Sequence, residues 1–487
     1  MSAAMMKELR RTSVLVLVMI ASLFVSTSII QVVAAEELRD HPRNSRTFYA
    51  NLSVNRGPIL VEGAPVAYSV PIEGPIAYQR VYENGPLYAP VTGYLTIGQG
   101  STGLESELNS FLTGATGGQF FDQISAVLTG QKPQGAAVET TILASVQQAA
   151  WDALGDHTGA VIAWEPSTGR ILAMVSKPSF DPNALAVHDT STVIDVYNQL
   201  LADAGDPLIN RTMNGDLDPP GSVFKLVTAA AALESGRSAD TALPNPSVLE
   251  LPQTDHLVYN HSRGRCGVGE TVTIFDAIRL SCNIPMAELG QQLTYRTIRD
   301  QALAFGFDES VSVPMTSTPS VYPRVLDEPQ TMLSAFGQSD VRASPLQMAM
   351  VAGAIANGGT MMQPNLVEAI ISPDQTTLQG FEPQTIGQPI STATARALTA
   401  MMVASVENGA ASDAAIPGLA VAGKTGTAEN GADDPYSLWF VGFAPADDPR
   451  VAVAVVVQDG GGLGQSGSGA AVAAPIGKAV IEAVMAR

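Results

Sequence analysis

The segment Pro220-Gly221-Ser222-Val223-Phe224-Lys225 runs directly into Leu226-Val-Thr-Ala-Ala-Ala-Ala-Leu233. This apolar, alanine-rich continuation predicts a helix over 222–234 that ends before Gly236. Residues three apart on a helix share a face, so the heads of Ser222 and Lys225 can meet. A serine hydroxyl is a poor nucleophile without a neighbouring base. A lysine serves as that base only when its pKa falls from about 10.4, and burial on an apolar helix lowers it. The competing reading is a helix-capping serine with a lysine snorkelling to solvent, and an isolated S-x-x-K does not separate the two. The chain has six lysines, at 7, 132, 177, 225, 424 and 478, so a lysine inside a motif carries weight.

Another of the six stands in Lys424-Thr425-Gly426-Thr427, within Val421-Ala-Gly-Lys-Thr-Gly-Thr-Ala-Glu429. The run reads as part of a strand over 419–427, with Lys424 and Gly426 on one face and the glycine leaving room for a substrate backbone. Ser281-Cys282-Asn283 follows a helix expected over 274–280 and is, by itself, a common polar helix end. The order S-x-x-K, S-x-N, K-T-G is far more specific than any one motif; 59 residues separate Ser222 from Ser281 and 143 separate Ser281 from Lys424. On these motifs the chain resembles the penicillin-binding proteins and serine β-lactamases, and within them the monofunctional class B D,D-transpeptidases of actinobacteria. The run Gly159-Ala-Val-Ile-Ala-Trp-Glu-Pro-Ser-Thr-Gly-Arg-Ile-Leu-Ala-Met174 is similar to the family's opening hairpin. Ser344-Pro-Leu-Gln-Met-Ala349 resembles its post-active-site helix, and Trp439-Phe-Val-Gly-Phe-Ala-Pro445 resembles the strand beside K-T-G. The resemblance covers residues from about 137 to 487. Two positions depart from it: Cys282 stands where serine is frequent, and Ser339 in Gly337-Gln338-Ser339 stands where many members have glycine.

The resemblance implies an α/β transpeptidase domain, with an antiparallel sheet sandwiched by helices and a helical subdomain. It implies that Ser222 attacks the penultimate D-Ala carbonyl of a peptidoglycan stem peptide, expels the terminal D-Ala and passes the acyl group to a second stem's amine. Lys225 is the implied base, with Ser281 and Lys424 relaying protons around the leaving amine. Lys424, Thr425 and Thr427, along the strand opened by Gly426, are expected to hold the substrate carboxylate, and Asn283 a peptide carbonyl. The backbone N–H groups of Ser222 and Thr427 are the expected oxyanion hole. No metal or cofactor enters this chemistry. β-Lactams are expected to acylate Ser222, and the family analogy adds a multi-span glycan polymerase as partner.

Composition is compatible with that reading. The chain holds 26 basic and 46 acidic residues, a formal charge of −20, which argues against nucleic acid as a partner. Thr12 to Ala35 contains no charged residue, and its 24 residues reach roughly 36 Å as a helix, enough to span a bilayer. Lys7, Arg10 and Arg11 precede it, so the positive-inside rule places the rest of the chain outside the cytoplasm of a bacterial cell. Val33-Ala34-Ala35 also resembles a signal-peptide cleavage site. The two cysteines, Cys266 and Cys282, are expected to form a disulfide suited to that compartment; the rival, a zinc site with His256 and His261, has spacings that match no standard pattern.

The expected organisation is a cytoplasmic tail over 1–11, a membrane helix over 12–35, a small, mostly β pedestal over 36–137 and the transpeptidase domain over 138–487. Pro133 and Gly135 mark the last boundary. Helices are expected over 140–154, 345–356, 392–406 and 470–485, and strands over 159–164, 171–175, 438–444 and 451–457, with a Gly/Ser-rich loop at 459–469. Glu105-Ser-Glu-Leu-Asn109 spells a pattern that β-lactamases use after S-x-N. It precedes Ser222 here and is expected to be a solvated helix start. The pedestal is too short for a glycosyltransferase, and the chain has neither the G-x-S-x-G of α/β-hydrolases nor the H-E-x-x-H of metallopeptidases. A D,D-carboxypeptidase and a membrane-tethered scaffold or β-lactam sensor remain as alternatives.

Overall fold

The computed structural model describes residues 3–34, 53–74, 76–116, 134–215 and 217–487. Helix α1 (Ala3–Ser28) continues into a π-helical turn over Ile29–Val33, and an 18-residue window within Met5–Val32 has a mean hydropathy of 2.5 with none of it buried against the protein. Its length and composition suit a membrane span. Ala35, the end of the expected span and of the cleavage-like triplet, lies outside the described residues, as does Pro133.

Strands β1 (Ile59–Val61), β2 (Ala64–Pro71) and β3 (Tyr78–Tyr82) form an antiparallel meander. The pedestal, expected to be mostly β, also contains two short helices, α2 (Gly85–Thr92) and α3 (Gly103–Glu107). Both are too short to print a 3.6-residue period in the sequence. Strand β4 (Ala137–Thr140) runs parallel to β1, so the boundary expected at 137/138 falls inside a strand.

Helix α4 (Ala144–Leu154) leads to the hairpin of β5 (Gly159–Trp164) and β6 (Ile171–Lys177). The helical middle contains α5 (Lys225–Glu234), α6 (Ile274–Arg279), α7 (Ile284–Ala304) and α8 (Pro345–Ala356). Two strands then return to the small unit: β7 (Val367–Ile371) pairs with β4, and β8 (Thr377–Gly380) pairs with β7. The order β8-β7-β4-β1-β2-β3 makes one six-stranded sheet from chain segments 300 residues apart. The pedestal is therefore grafted onto the larger unit by backbone hydrogen bonds.

After α9 (Thr392–Asn408), strands β9 (Ala422–Ala428), β10 (Ser437–Ala444) and β11 (Val451–Val457) join the opening hairpin, and α10 (Ala473–Met485) follows. The order β9-β10-β11-β5-β6 is antiparallel throughout. Every residue of β11 is buried, and its alternation feeds two cores. Val451, Val453, Val455 and Val457 pack with α4 and α10, while Ala452, Ala454 and Val456 pack on the side of α5 and α8. A one-residue slip would exchange valines for alanines on both faces at once, so packing pins the register. Trp164 ties the sheet to α8 by donating from Nε1 to the Ala349 carbonyl at 3.1 Å.

The expected solvated start at Glu105 is overturned. Glu105 is fully buried; Arg56 Nε donates to its Oε2 at 2.5 Å and Arg80 Nε to its Oε1 at 2.6 Å. Asn109 of the same pattern accepts from Arg56 Nη1 at 2.7 Å. The pattern therefore serves the pedestal core, where one carboxylate bridges two arginines. Glu105→Ala strands both cations in a dry interior and is expected to cost about 3 to 5 kcal/mol of stability in equilibrium chemical unfolding. Exposed Glu107→Ala is the control, within about 0.5 kcal/mol of the parent.

Candidate active site

The helix expected from Ser222 begins instead with a 3₁₀ turn over Gly221–Phe224, and α5 starts at Lys225. The tighter winding makes side chains three apart eclipse, which aligns Ser222 with Lys225 more directly than an α-helix does. The turn is pinned on two sides. Gly221 N donates to the Gly337 carbonyl at 2.9 Å, and Trp439 Nε1 donates to the Pro219 carbonyl at 3.0 Å. Gly337 has φ +77, and a Cβ there would lie 2.1 Å from Gly221 O, so only glycine lets the two backbones approach.

Lys225 is fully buried, and its Nζ donates to the Ser281 carbonyl at 2.8 Å and to Asn283 Oδ1 at 2.7 Å. Burial, then the neighbouring Lys424 charge, holds its pKa well below the ordinary lysine value. A neutral amine has two N–H groups and one lone pair. Both N–H groups are occupied here, which leaves the lone pair to accept a proton. Lys424, also fully buried, donates from Nζ to Ser281 Oγ at 2.7 Å and to the Thr425 carbonyl at 2.8 Å. Burial lowers its pKa to about 7. The three motifs thus converge on Ser281, whose carbonyl faces one lysine and whose hydroxyl faces the other.

Ser281 has φ +61. It stands just past the end of α6, where its N–H reaches the Ile278 carbonyl at 3.2 Å and Cys282 N reaches the Ala277 carbonyl at 2.9 Å. This pair of bonds defines a Schellman helix end, a position that normally selects glycine. Serine there costs about 1 to 2 kcal/mol of backbone strain. The next residues hold it: Cys282 is disulfide-bonded to Cys266, and Asn260 Oδ1 accepts from Asn283 N at 2.9 Å and Ile284 N at 3.1 Å. With both sulfurs in that bond, the alternative zinc set lacks its thiolates. Asn260 escaped the sequence reading because it caps α7 from a loop 24 residues upstream, a long-range partnership without a local signal.

Strand β9 is the sheet edge beside the nucleophile turn. A Cβ at Gly426 would meet Pro220 O at 3.0 Å and Val223 Cγ1 at 3.2 Å. The glycine thus admits the protein's own turn on that face, where a substrate backbone was expected. Thr427 Oγ1 accepts from Gly469 N at 3.1 Å, leaving its hydrogen free, while Thr425 Oγ1 donates to the Ala410 carbonyl at 3.1 Å. Asn283 Nδ2 donates to the Tyr259 carbonyl at 3.0 Å, so one of its two hydrogens is committed. Ser222, Ser281, Asn283, Thr425, Gly426 and Thr427 line one open cleft of about 810 Å³. Ser339, also on its wall, has φ +62, the conformation glycine adopts freely. The expected Gly/Ser-rich loop folds into 3₁₀ turns over Gly460–Gly462 and Gly464–Ser466, and Gln465 and Ser466 join the cleft lining.

The penicillin binding protein transpeptidase domain model matches residues 159–482, and the penicillin binding protein A dimerisation domain model matches residues 56–138. Peptidoglycan D,D-transpeptidase PbpA of Mycolicibacterium smegmatis is 42% identical over 98% of this chain and 99% of its own length. The protein of that name from Mycobacterium tuberculosis is 39% identical over the same shares. Penicillin-binding protein A of M. tuberculosis, solved as a ceftriaxone acyl-enzyme complex, matches with a TM-score of 0.86 and 38% identity over 90% of this chain and 100% of that one. With its three motifs gathered in one cleft and these likenesses running through both units, the chain belongs to the penicillin-binding protein transpeptidase family.

Proposed function

We propose that this protein is a membrane-anchored peptidoglycan D,D-transpeptidase that cross-links stem peptides through an acyl-enzyme on Ser222. The observation that carries the reading is the Lys225 amine, buried at the end of the 3₁₀ turn that holds Ser222, with both N–H groups engaged so that its lone pair is left to take a proton. The relatives' names and the acyl-enzyme state of the solved neighbour support it.

Ser222 Oγ attacks the carbonyl of the penultimate D-Ala as Lys225 takes the hydroxyl proton. The backbone N–H groups of Ser222 and Thr427 receive the developing oxyanion, a contribution worth roughly 3 to 4 kcal/mol per donor. As the C–N bond breaks, the proton reaches the leaving amine through Ser281, whose hydroxyl is bonded to Lys424. The amine of a second stem then attacks the ester and releases Ser222. A β-lactam reacts at the same carbonyl position, but its leaving amine stays tethered by the opened ring, so the acyl-enzyme persists. The substrate carboxylate binds Lys424 and the Thr427 hydroxyl, with Thr425 joining by releasing Ala410, and the remaining Asn283 hydrogen takes a peptide carbonyl.

Residues 1–11 are the cytoplasmic tail and 12–35 the anchor; the pedestal begins at 36 and runs on through β4 instead of stopping at 137, and the extracytoplasmic catalytic unit follows to 487. A multi-span glycan polymerase is the partner proposed for the pedestal, and co-purification from membranes tests it. Water replacing the acceptor amine would give D,D-carboxypeptidase activity from the same residues.

Brief incubation with benzylpenicillin is expected to add one drug mass to the intact protein for many minutes, and none to Ser222→Ala. Rapid drug hydrolysis without an adduct would make the protein a β-lactamase, and intact drug with no adduct a scaffold. Lys225→Ala is expected to lower the acylation rate constant by roughly 10²- to 10⁴-fold, the usual worth of a general base.

The second-order rate with a carboxylate-bearing peptide substrate is expected to be bell-shaped in pH. Lys225 must be neutral and is so above its lowered pKa, so acid protonates it and the rate falls. Lys424 must be cationic to hold a carboxylate and loses its charge as pH rises through about 7, giving the alkaline limb. A bound carboxylate favours the ammonium, so this limb moves upward in kcat relative to kcat/KM. A flat profile would remove both lysines from these roles.

A further inference from the structure

Asp218, four residues before Ser222, has no part in the chemistry above. Its Oδ1 accepts from Ser437 Oγ at 2.8 Å and its Oδ2 from Gln458 Nε2 at 2.7 Å. Ser437 opens β10 and Gln458 follows β11, so one carboxylate grips two neighbouring strand ends from the segment that delivers the nucleophile. That segment needs such a grip. Pro219 and Pro220 have no N–H to offer a backbone ladder. Its other ties are Asp218 O to Ala343 N at 2.9 Å, Pro219 O to Trp439 Nε1 at 3.0 Å and Gly221 N to Gly337 O at 2.9 Å.

The direction of every bond in this chain is set from its ends. Arg211 Nε donates to Gln458 Oε1 at 2.9 Å, and a guanidinium has only donors. Gln458 must therefore turn its oxygen to Arg211 and its NH₂ to Asp218. Arg211 is itself held by the Gly205 carbonyl at 2.5 Å and the Asp206 carbonyl at 3.0 Å. At the other end Asn430 Nδ2 donates to the Pro435 carbonyl at 2.7 Å and to Ser437 Oγ at 3.0 Å. The Ser437 hydrogen goes to Asp218 at 2.8 Å, since its alternative acceptor, Asn430 Oδ1, lies at 3.4 Å. Position 218 must accept on both oxygens. Enclosure raises the Asp218 pKa, and the bonds from Gln458 and Ser437 oppose that rise.

We propose that Asp218 is a positioning residue for acylation: through Gln458 and Arg211 on one side and Ser437 on the other, it sets the height of the Ser222 turn against the Thr427 end of β9. The inference rests on Ser222 being the nucleophile. The contact it controls is close, since a Cβ at Gly221 would meet Thr427 O and the Ala428 Cβ, both at 3.0 Å. A displacement of about 1 Å at a reacting group costs on the order of 10²-fold in rate.

The test is a polarity swap in the full-length protein, reading the acylation rate constant, the non-covalent binding constant for benzylpenicillin and the melting temperature. Asp218→Asn sets an amide NH₂ where an acceptor is needed, and Gln458→Glu sets two carboxylates against each other. Each alone is expected to slow acylation roughly 10- to 100-fold with little change in drug binding. The double variant D218N/Q458E restores a donor facing an acceptor and still offers Arg211 an oxygen, so it is expected to recover most of the rate, a non-additivity that a generic loss of stability does not produce. Wild-type rates in both single variants, losses that track melting temperature alone, or a double variant slower than either single would overturn the proposal. An unacylated wild-type protein would instead overturn the nucleophile assignment on which it rests.

Discussion

The buried amine of Lys225 is the constraint around which the catalytic unit is arranged. A lysine in a dry interior survives by becoming neutral or by finding acceptors, and here the Ser281 carbonyl and Asn283 Oδ1 take both hydrogens of the neutral form. Dryness comes from α5 lying between the sheet and the helical middle, every residue from Lys225 to Ala232 being buried. A second buried lysine, Lys424, adds like-charge repulsion that favours the neutral state of its neighbour. The sheet holds Lys424 on its edge strand and the helical middle carries Ser281, so the Lys424–Ser281 hydrogen bond crosses the boundary between the two halves of the unit.

Strain and its compensation are concentrated at that crossing. Ser281 occupies a conformation suited to glycine because a helix ends there, and it presents its hydroxyl to Lys424 from that position. Three constraints from outside α6 resist relaxation: the disulfide at Cys282, the side chain of Asn260 on the following two N–H groups, and the Lys225 bond to the Ser281 carbonyl itself. On the opposite wall, glycines at 221, 337 and 426 let three backbone segments approach to within about a side chain's thickness. Serine at 339 holds a left-handed conformation where the family's frequent glycine would do so without strain.

The pedestal depends on the same logic at larger scale. Its meander is completed by β4, β7 and β8, so its orientation relative to the cleft is transmitted through a hydrogen-bonded sheet. Within it Glu105 sits buried between Arg56 and Arg80, an ionic cluster set among buried apolar residues such as Ile59, Val66, Leu104 and Leu112.

The amino-acid sequence by itself determined the catalytic residue types, their order and most of the large elements. An S-x-x-K helix start, a K-T-G strand and the β-branched strand over 451–457 are local patterns, set by sterics, periodicity and burial within a few residues. Tertiary structure alone decided the rest. The proton-accepting pose of Lys225 depends on a carbonyl 56 residues away, and the hydrogen-bond partner of Lys424 lies 143 residues away. Glu105 reads as a solvated acid until Arg56 and Arg80 close over it, and Asn260 and Asp218 carry no local signal at all. Gly426 reads as room for substrate until the nucleophile turn fills it. In each case the deciding quantity was a contact between distant segments, which neither composition nor periodicity encodes.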